Sequence, residues 1–150
     1  MKIETLLLPT DFSECAEHAL PYAAWLAHLT GARVICLHVI EPVVPVTGYT
    51  GLIESAPLTD LSEQLEESAA RELPKIAERE EFAGLETEEM IVHGEAATEI
   101  VRVAKERQVD MIVISSHGRT GLGRIIFGST AESVARHAPC PVLIVKPRAG

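Results

Sequence analysis

Short apolar runs of strand length alternate with segments of helical period along the whole chain, and this alternation constrains the fold more than any other feature. Ile3–Leu8 reads as a first strand, stopped by Pro9. A helix is expected from about Ser13 to Leu29, with Ala16, Ala19, Leu20, Ala23, Leu26 and Ala27 on one face and Gly31 as its stop. Arg33–Ile40 is a second strand, apolar on both faces. Glu41–Pro57 holds Pro42, Pro45, Gly48, Gly51 and Pro57 and reads as a long loop. A second helix follows from Leu58 to Glu81, with Leu61, Leu65, Ala69, Leu73 and Ile76 as its apolar stripe, and Pro74 is expected to kink or split it. Glu86–His93 is a third strand, half polar and so expected at a sheet edge. A helix over Glu95–Arg107, a strand over Met111–Ser115, a helix over Ser129–His137 and a strand over Pro141–Val145 complete the series. Five strands with a helix between neighbours predict an α/β fold, with a parallel sheet covered by helices on both faces.

The 150 residues suit one domain spanning 1–150. No apolar run approaches the ~18 residues that cross a bilayer, and the N-terminus lacks a signal-peptide pattern, so a cytoplasmic location is expected. Cys15, Cys36 and Cys140 show no CxxC spacing, and all three are expected to be buried small hydrophobes. The net charge is −9, and one segment carries it: Glu54–Glu89 has 12 acidic and 3 basic residues, and the remainder balances. That sign argues against nucleic acid or an anionic membrane as partner. Ser115–Ala131, by contrast, holds His117, Arg119 and Arg124 and no acid. A small anion fits there.

In a doubly wound sheet, ligands bind at the carboxyl ends of the strands, where the winding reverses. With the first strand central, the loops Pro9–Ser13 and Ser115–Thr130 meet at that place. The second holds four of the ten glycines and leads into Ser129-Thr130-Ala131-Glu132, which reads as a capping box. Glycines admit close backbone approach, and a helix N-terminus offers free N–H groups to a phosphate. Turn formation alone also accounts for such glycines. Gly123-x4-Gly128-Ser129-Thr130 lacks the P-loop lysine, and no G-x-G-x-x-G follows the first strand. Asp11 suits either a metal or ribose contact or the capping of the first helix with Glu14. Asp11, His117, Ser115 and Ser116 do not make a hydrolase triad, because no G-x-S-x-G elbow presents a serine. His18, His28, His38, His93 and His137 have no paired metal-ligand spacing and are expected at the surface or the edge of the core.

Five separated pieces of the chain, in order, resemble the universal stress protein (UspA) family. They are Leu8-Pro9-Thr10-Asp11-Phe12-Ser13, Cys36-Leu37-His38-Val39-Ile40, Val92-His93-Gly94, Ser116-His117-Gly118-x9-Gly128-Ser129, and Pro139-Cys140-Pro141-Val142-Leu143-Ile144-Val145-Lys146. The resemblance implies a Rossmann-like fold with strand order 3-2-1-4-5, dimerised through the last strand, Val142, Leu143, Ile144 and Val145. It further implies ATP binding in the branch carrying G-x2-G-x9-G-[S/T]. By position, Pro9, Thr10 and Asp11 would meet adenine and ribose, with Val39 beside the base, while Gly118, Gly128, Ser129 and Thr130 would receive the phosphates. Ser115, Ser116, His117 and Arg119 belong to the same candidate set, and Asp11 is the candidate ligand for Mg²⁺. The chain departs from the signature at its first glycine, where Ser115 stands; its side chain either crowds the nucleotide or bonds to it.

Three functional readings follow. One is a homodimeric ATP-binding stress-response module whose partner contacts change with nucleotide occupancy. The second is a dimer of the same fold acting through protein contacts without nucleotide. The third is a slow ATP hydrolase. With Asp11 and two arginines but no P-loop lysine, nothing beyond incidental turnover is expected, and no residue is assigned a catalytic role.

Overall fold

The computed structural model describes residues 1–43, 58–117 and 127–147. It contains β1 (Thr5–Pro9), α1 (Glu14–Glu17), α2 (Leu20–Thr30), β2 (Arg33–Ile40), α3 (Leu58–Ala77), a 3₁₀ turn (Glu80–Phe82), β3 (Thr87–His93), α4 (Ala96–Glu106), β4 (Met111–Ser115), α5 (Ser129–His137) and β5 (Val142–Val145). The strands form one parallel sheet in the order β3-β2-β1-β4-β5. Most of the loop expected over Glu41–Pro57 falls outside the described residues. No helix among those described is long and apolar enough to cross a membrane.

Period-two alternation on β1 builds a core on each face of the sheet. Leu6 and Leu8 join Val34, Cys36, Val113 and Val145 under α2, α3 and Phe82. Leu7 turns the other way and joins Ile35, Leu37, Ile112 and Ile114 under Ile100 and Val103 of α4 and Val134 of α5. The edge strand β3 is protected by charge: Glu88 binds Arg107 and lies near Arg33. The opposite edge, β5, presents only apolar side chains.

Some boundaries differ from expectation for local reasons. The single helix expected over Ser13–Leu29 is two. Pro21 has no N–H to donate and sits in the first turn of α2. The chain before it tightens into i→i−3 bonds, His18 N–H to Cys15 O and Ala19 N–H to Ala16 O. Pro74 does not split α3, which runs through it and ends at Ala77 rather than Glu81. The first strand begins at Thr5, because the N–H groups of Glu4 and Thr5 donate to the Asp110 carboxylate. Only one of the three cysteines is fully buried. Cys36 lies in the core, where burial, assisted by the charge of Glu89, pushes its thiol up to about 12. Cys15 and Cys140 are half-buried.

Candidate functional site

β1 pairs with β2 on one side and β4 on the other, so the loops leaving β1 and β4 emerge side by side where the winding reverses. The first is a compact turn. Thr10 N–H continues the ladder to Leu37 O at 2.9 Å, although Pro9 before it has no N–H to give. Phe12 N–H donates to Thr10 Oγ1 at 3.0 Å, and Ser13 N–H donates to Asp11 Oδ1 at 3.0 Å. Ser13 caps α1, its Oγ accepting from Ala16 N–H at 3.1 Å. The cap is therefore Ser13 and not Asp11. Asp11 instead shapes the turn ahead of it, and its carboxyl group stays half-exposed. Thr10 is buried, and Val39, at the carboxyl end of β2, is half-buried against the second core.

At the end of β4 the two serines are committed to the backbone frame. Ser115 is buried and its hydroxyl donates to His117 O at 2.8 Å. Ser116 is fully buried; its N–H donates to Val145 O at 2.8 Å and its hydroxyl bonds His117 Nδ1 at 2.8 Å. A fully buried hydroxyl of this kind has no access to a substrate carbonyl. The Ser116 carbonyl accepts from Gly128 N–H at 2.6 Å, which draws the start of α5 onto the end of β4. The structure thus brings together Ser115, Ser116, His117, Gly128, Ser129 and Thr130. Gly118 and Arg119, with Arg124, lie outside the described residues.

The helix N-termini along this edge differ in their chemistry. The first turn of α4 is filled by carboxylates: Glu95 accepts from Ala97 N–H, Thr98 N–H and the Thr98 hydroxyl, and Glu41 accepts from Ala96 N–H at 3.0 Å. The Thr98 hydroxyl, ahead of the backbone donors, holds the Glu95 carboxyl below its ordinary value. On α5 the expected capping box does not form. Gly128, not Ser129, is the N-cap, with φ −69° and ψ 157°, and it brings no capping side chain of its own. Glu132 turns away to pair with Arg136 at 2.9 Å. The Gly128 backbone is ordinary extended geometry, open to any residue.

His38 and Phe12 form part of this site although the residue pattern did not single them out. His38 is half-buried, with Nδ1 2.8 Å from Thr10 O and its ring 4.5 Å from that of Phe12. The available signal was positional, since His38 sits next to Val39 at the carboxyl end of a central strand. A separate shallow groove lies on the α3 side, between Thr10, Phe12, Leu20 and Ile76; ion pairs Arg79–Glu17 and Lys75–Glu72 line it. No cluster of three or more His, Cys, Asp or Glu side chains among the described residues has metal-binding geometry.

Comparison with known proteins follows the same outline. The family model for the universal stress protein family matches residues 2–146. Universal stress protein MJ0577 of Methanocaldococcus jannaschii is 35% identical over 94% of this chain and 93% of its own length. YxiE of Bacillus subtilis, also a universal stress protein, is 31% identical over 94% of this chain and 97% of its own. The solved structure of MJ0577 superposes with a TM-score of 0.84 at 34% identity, covering both chains completely. A universal stress protein from Archaeoglobus fulgidus, solved in complex with dAMP, superposes at 0.63 with 29% identity over 97% of this chain and 100% of its own. Strand order, the paired turns at the switch point and a match along nearly the whole length all agree, and the chain belongs to the universal stress protein family.

Proposed function

We propose that the protein is an ATP-binding module, and that the triphosphate lies at the N-terminus of α5. One observation carries this reading. At the carboxyl edge of the sheet, α4 has its first-turn N–H groups filled by Glu41 and Glu95, while α5 begins at a glycine, which has no side chain of its own to cap it. Phosphate is the group such a helix start accepts, through its unsatisfied N–H groups and the positive end of its dipole. The A. fulgidus relative, solved in complex with dAMP, supports a nucleotide as the kind of ligand. Pro9, Thr10 and Asp11 then face the ribose and base, Val39 flanks the base, and Gly118, Arg119, Gly128, Ser129 and Thr130 attend the phosphates. Ser115, Ser116 and His117 act behind them as the frame of the loop.

Mg²⁺ fits as the companion of the phosphates rather than as a resident ion. Among the described residues no cluster of three or more ligands could hold a resident ion, Asp11 offers a carboxylate, and Mg²⁺ commonly keeps its waters and binds through one or two carboxylates plus phosphate oxygens. No hydrolytic step is proposed. The module spans residues 1–150 and works as a homodimer joined through Val142, Leu143, Ile144 and Val145 of β5, with nucleotide occupancy changing its contacts with other proteins. Three unpaired cysteines suit a reducing compartment such as the cytoplasm.

Mass spectrometry of the purified, acid-denatured protein tests retention of nucleotide, and calorimetric titration of the stripped protein with Mg·ATP tests binding. Released ATP, or a saturable isotherm with one site per chain, is expected. Absence of both overturns the reading in favour of a module that acts through protein contacts alone.

A further inference from the structure

We propose that His38 is a positioning residue of the nucleotide site: it anchors the Thr10–Ser13 turn through the Thr10 carbonyl while its ring clamps Phe12 in the left-handed conformation. The inference rests on the proposed role of that turn in nucleotide binding, and adds a residue that does not itself touch the ligand.

The turn needs a clamp. Phe12 has φ +61°, a strained region that a bulky L-residue rarely adopts. Bonds inside the turn hold its shape: Phe12 N–H to Thr10 Oγ1 and Ser13 N–H to Asp11 Oδ1. Two bonds of long sequence range fix it to β2. One is the backbone bond from Thr10 N–H to Leu37 O, and the other is the bond between Thr10 O and His38 Nδ1, 2.8 Å long. A carbonyl oxygen can only accept, so Nδ1 carries the proton and donates. The same ring packs on Phe12 at 4.5 Å with an interplanar angle of 32°, within the range of favourable ring contacts. One side chain therefore grips the turn at two points, on either side of Asp11. It holds the Thr10 hydroxyl and the Asp11 carboxyl at fixed places on the edge of the sheet. A turn fixed in advance binds without an ordering cost, which is where the gain in affinity arises.

Two variants separate the two grips. In His38→Phe a ring remains but the donor is lost. In His38→Asn the side-chain N–H₂ replaces Nδ1–H as donor and the ring is lost. We expect His38→Phe to weaken Mg·ATP binding at least about tenfold with a native circular dichroism spectrum, and His38→Asn to recover only part of that loss, because the ring's hold on Phe12 is still missing. Long-range ¹H–¹⁵N spectra of the wild type at about pH 8, above the ordinary imidazole range, are expected to show the Nδ1–H tautomer. Hydrogen exchange at the Phe12 amide is expected to accelerate at least about tenfold in His38→Phe. Wild-type affinity in His38→Phe, an Nε2–H tautomer, or unchanged Phe12 exchange would each overturn the proposal. If the wild type itself binds no ATP, the nucleotide reading fails, and the clamp stands or falls on the tautomer and the exchange rate alone.

Discussion

Replacing Gly128 by Asp sets helix stability and ligand affinity against each other. Gly128 caps α5 with φ −69° and ψ 157°, a conformation that aspartate adopts freely, and as a glycine it gives the first turn no side-chain acceptor. A carboxylate at this position accepts from the free N–H groups of that turn. Aspartate exceeds glycine as a cap by a few tenths of a kcal/mol, and its charge at the helix N-terminus adds about 0.3–1 kcal/mol. A gain of this size raises Tm by roughly 1–5 °C for a chain of 150 residues. The same carboxylate occupies the place proposed for phosphate. At a separation of about 6 Å and an effective dielectric of about 20, one unit of charge repulsion amounts to about 2.8 kcal/mol, roughly a hundredfold in affinity. Gly128→Asn supplies the cap without the charge, so it should stabilise slightly and lose far less affinity. Differential scanning calorimetry and titration with Mg·ATP read the two effects separately. An aspartate variant that is more stable yet binds ATP as well as the wild type would refute the placement of phosphate at α5.

Three further outcomes are expected. Leu143→Lys should give a monomer by light scattering, since Leu143 is half-buried within one chain on an otherwise apolar edge strand, whereas Val145 on the same face is 4% exposed and belongs to the chain's own core; a monomeric wild type would contradict this. Glu95→Ala should lose a cap worth about 0.5–2 kcal/mol at neutral pH. Because the folded state holds the Glu95 carboxyl low, its contribution is complete above the ordinary glutamate value of about 4.3 and disappears as pH falls through the lowered one. The Tm difference from wild type should close in acid, and a gap independent of pH would show that the charge plays no part. Ser115→Gly should lower stability by about 0.5–1.5 kcal/mol without improving ATP affinity, because the hydroxyl is engaged with His117 O inside the turn; tighter binding would show that Ser115 crowds the nucleotide.

The sheet was legible in the residues because each strand is marked twice, by an apolar run and by the breakers around it. The half-polar run Glu86–His93 even declared its edge position, which the place of β3 (Thr87–His93) at the end of the sheet beside β2 bears out. Helix ends were less legible. Pattern places a helix across Ala19–Leu20–Pro21, but the missing N–H of Pro21 divides it, and nothing in the apolar spacing registers that loss. Capping was read one residue or two away from its real place: Ser13 rather than Asp11 on α1, and Gly128 rather than Ser129 on α5. A capping motif states which side chains are able to bond, whereas the backbone angles decide which residue stands at the cap. The positions of Thr10, Asp11, Ser115 and Gly128 at the carboxyl edge followed from their places at strand and helix ends, whereas Val39 came from the family resemblance alone. His38 did not, because its role depends on the left-handed Phe12 folding back beneath it, a long-range contact without local pattern.

The central claim, a nucleotide whose phosphates sit on α5 and whose base sits on the β1 turn, is tested most directly by following backbone amide resonances as Mg·ATP is added to the stripped, isotope-labelled protein. Saturable shifts are expected at Thr10, Asp11, Val39, Ser129 and Thr130, with the carboxylate-filled start of α4 at Ala96–Thr98 little changed. Shifts centred on α4, or none at the first turn of α5 at saturating ATP, would contradict it.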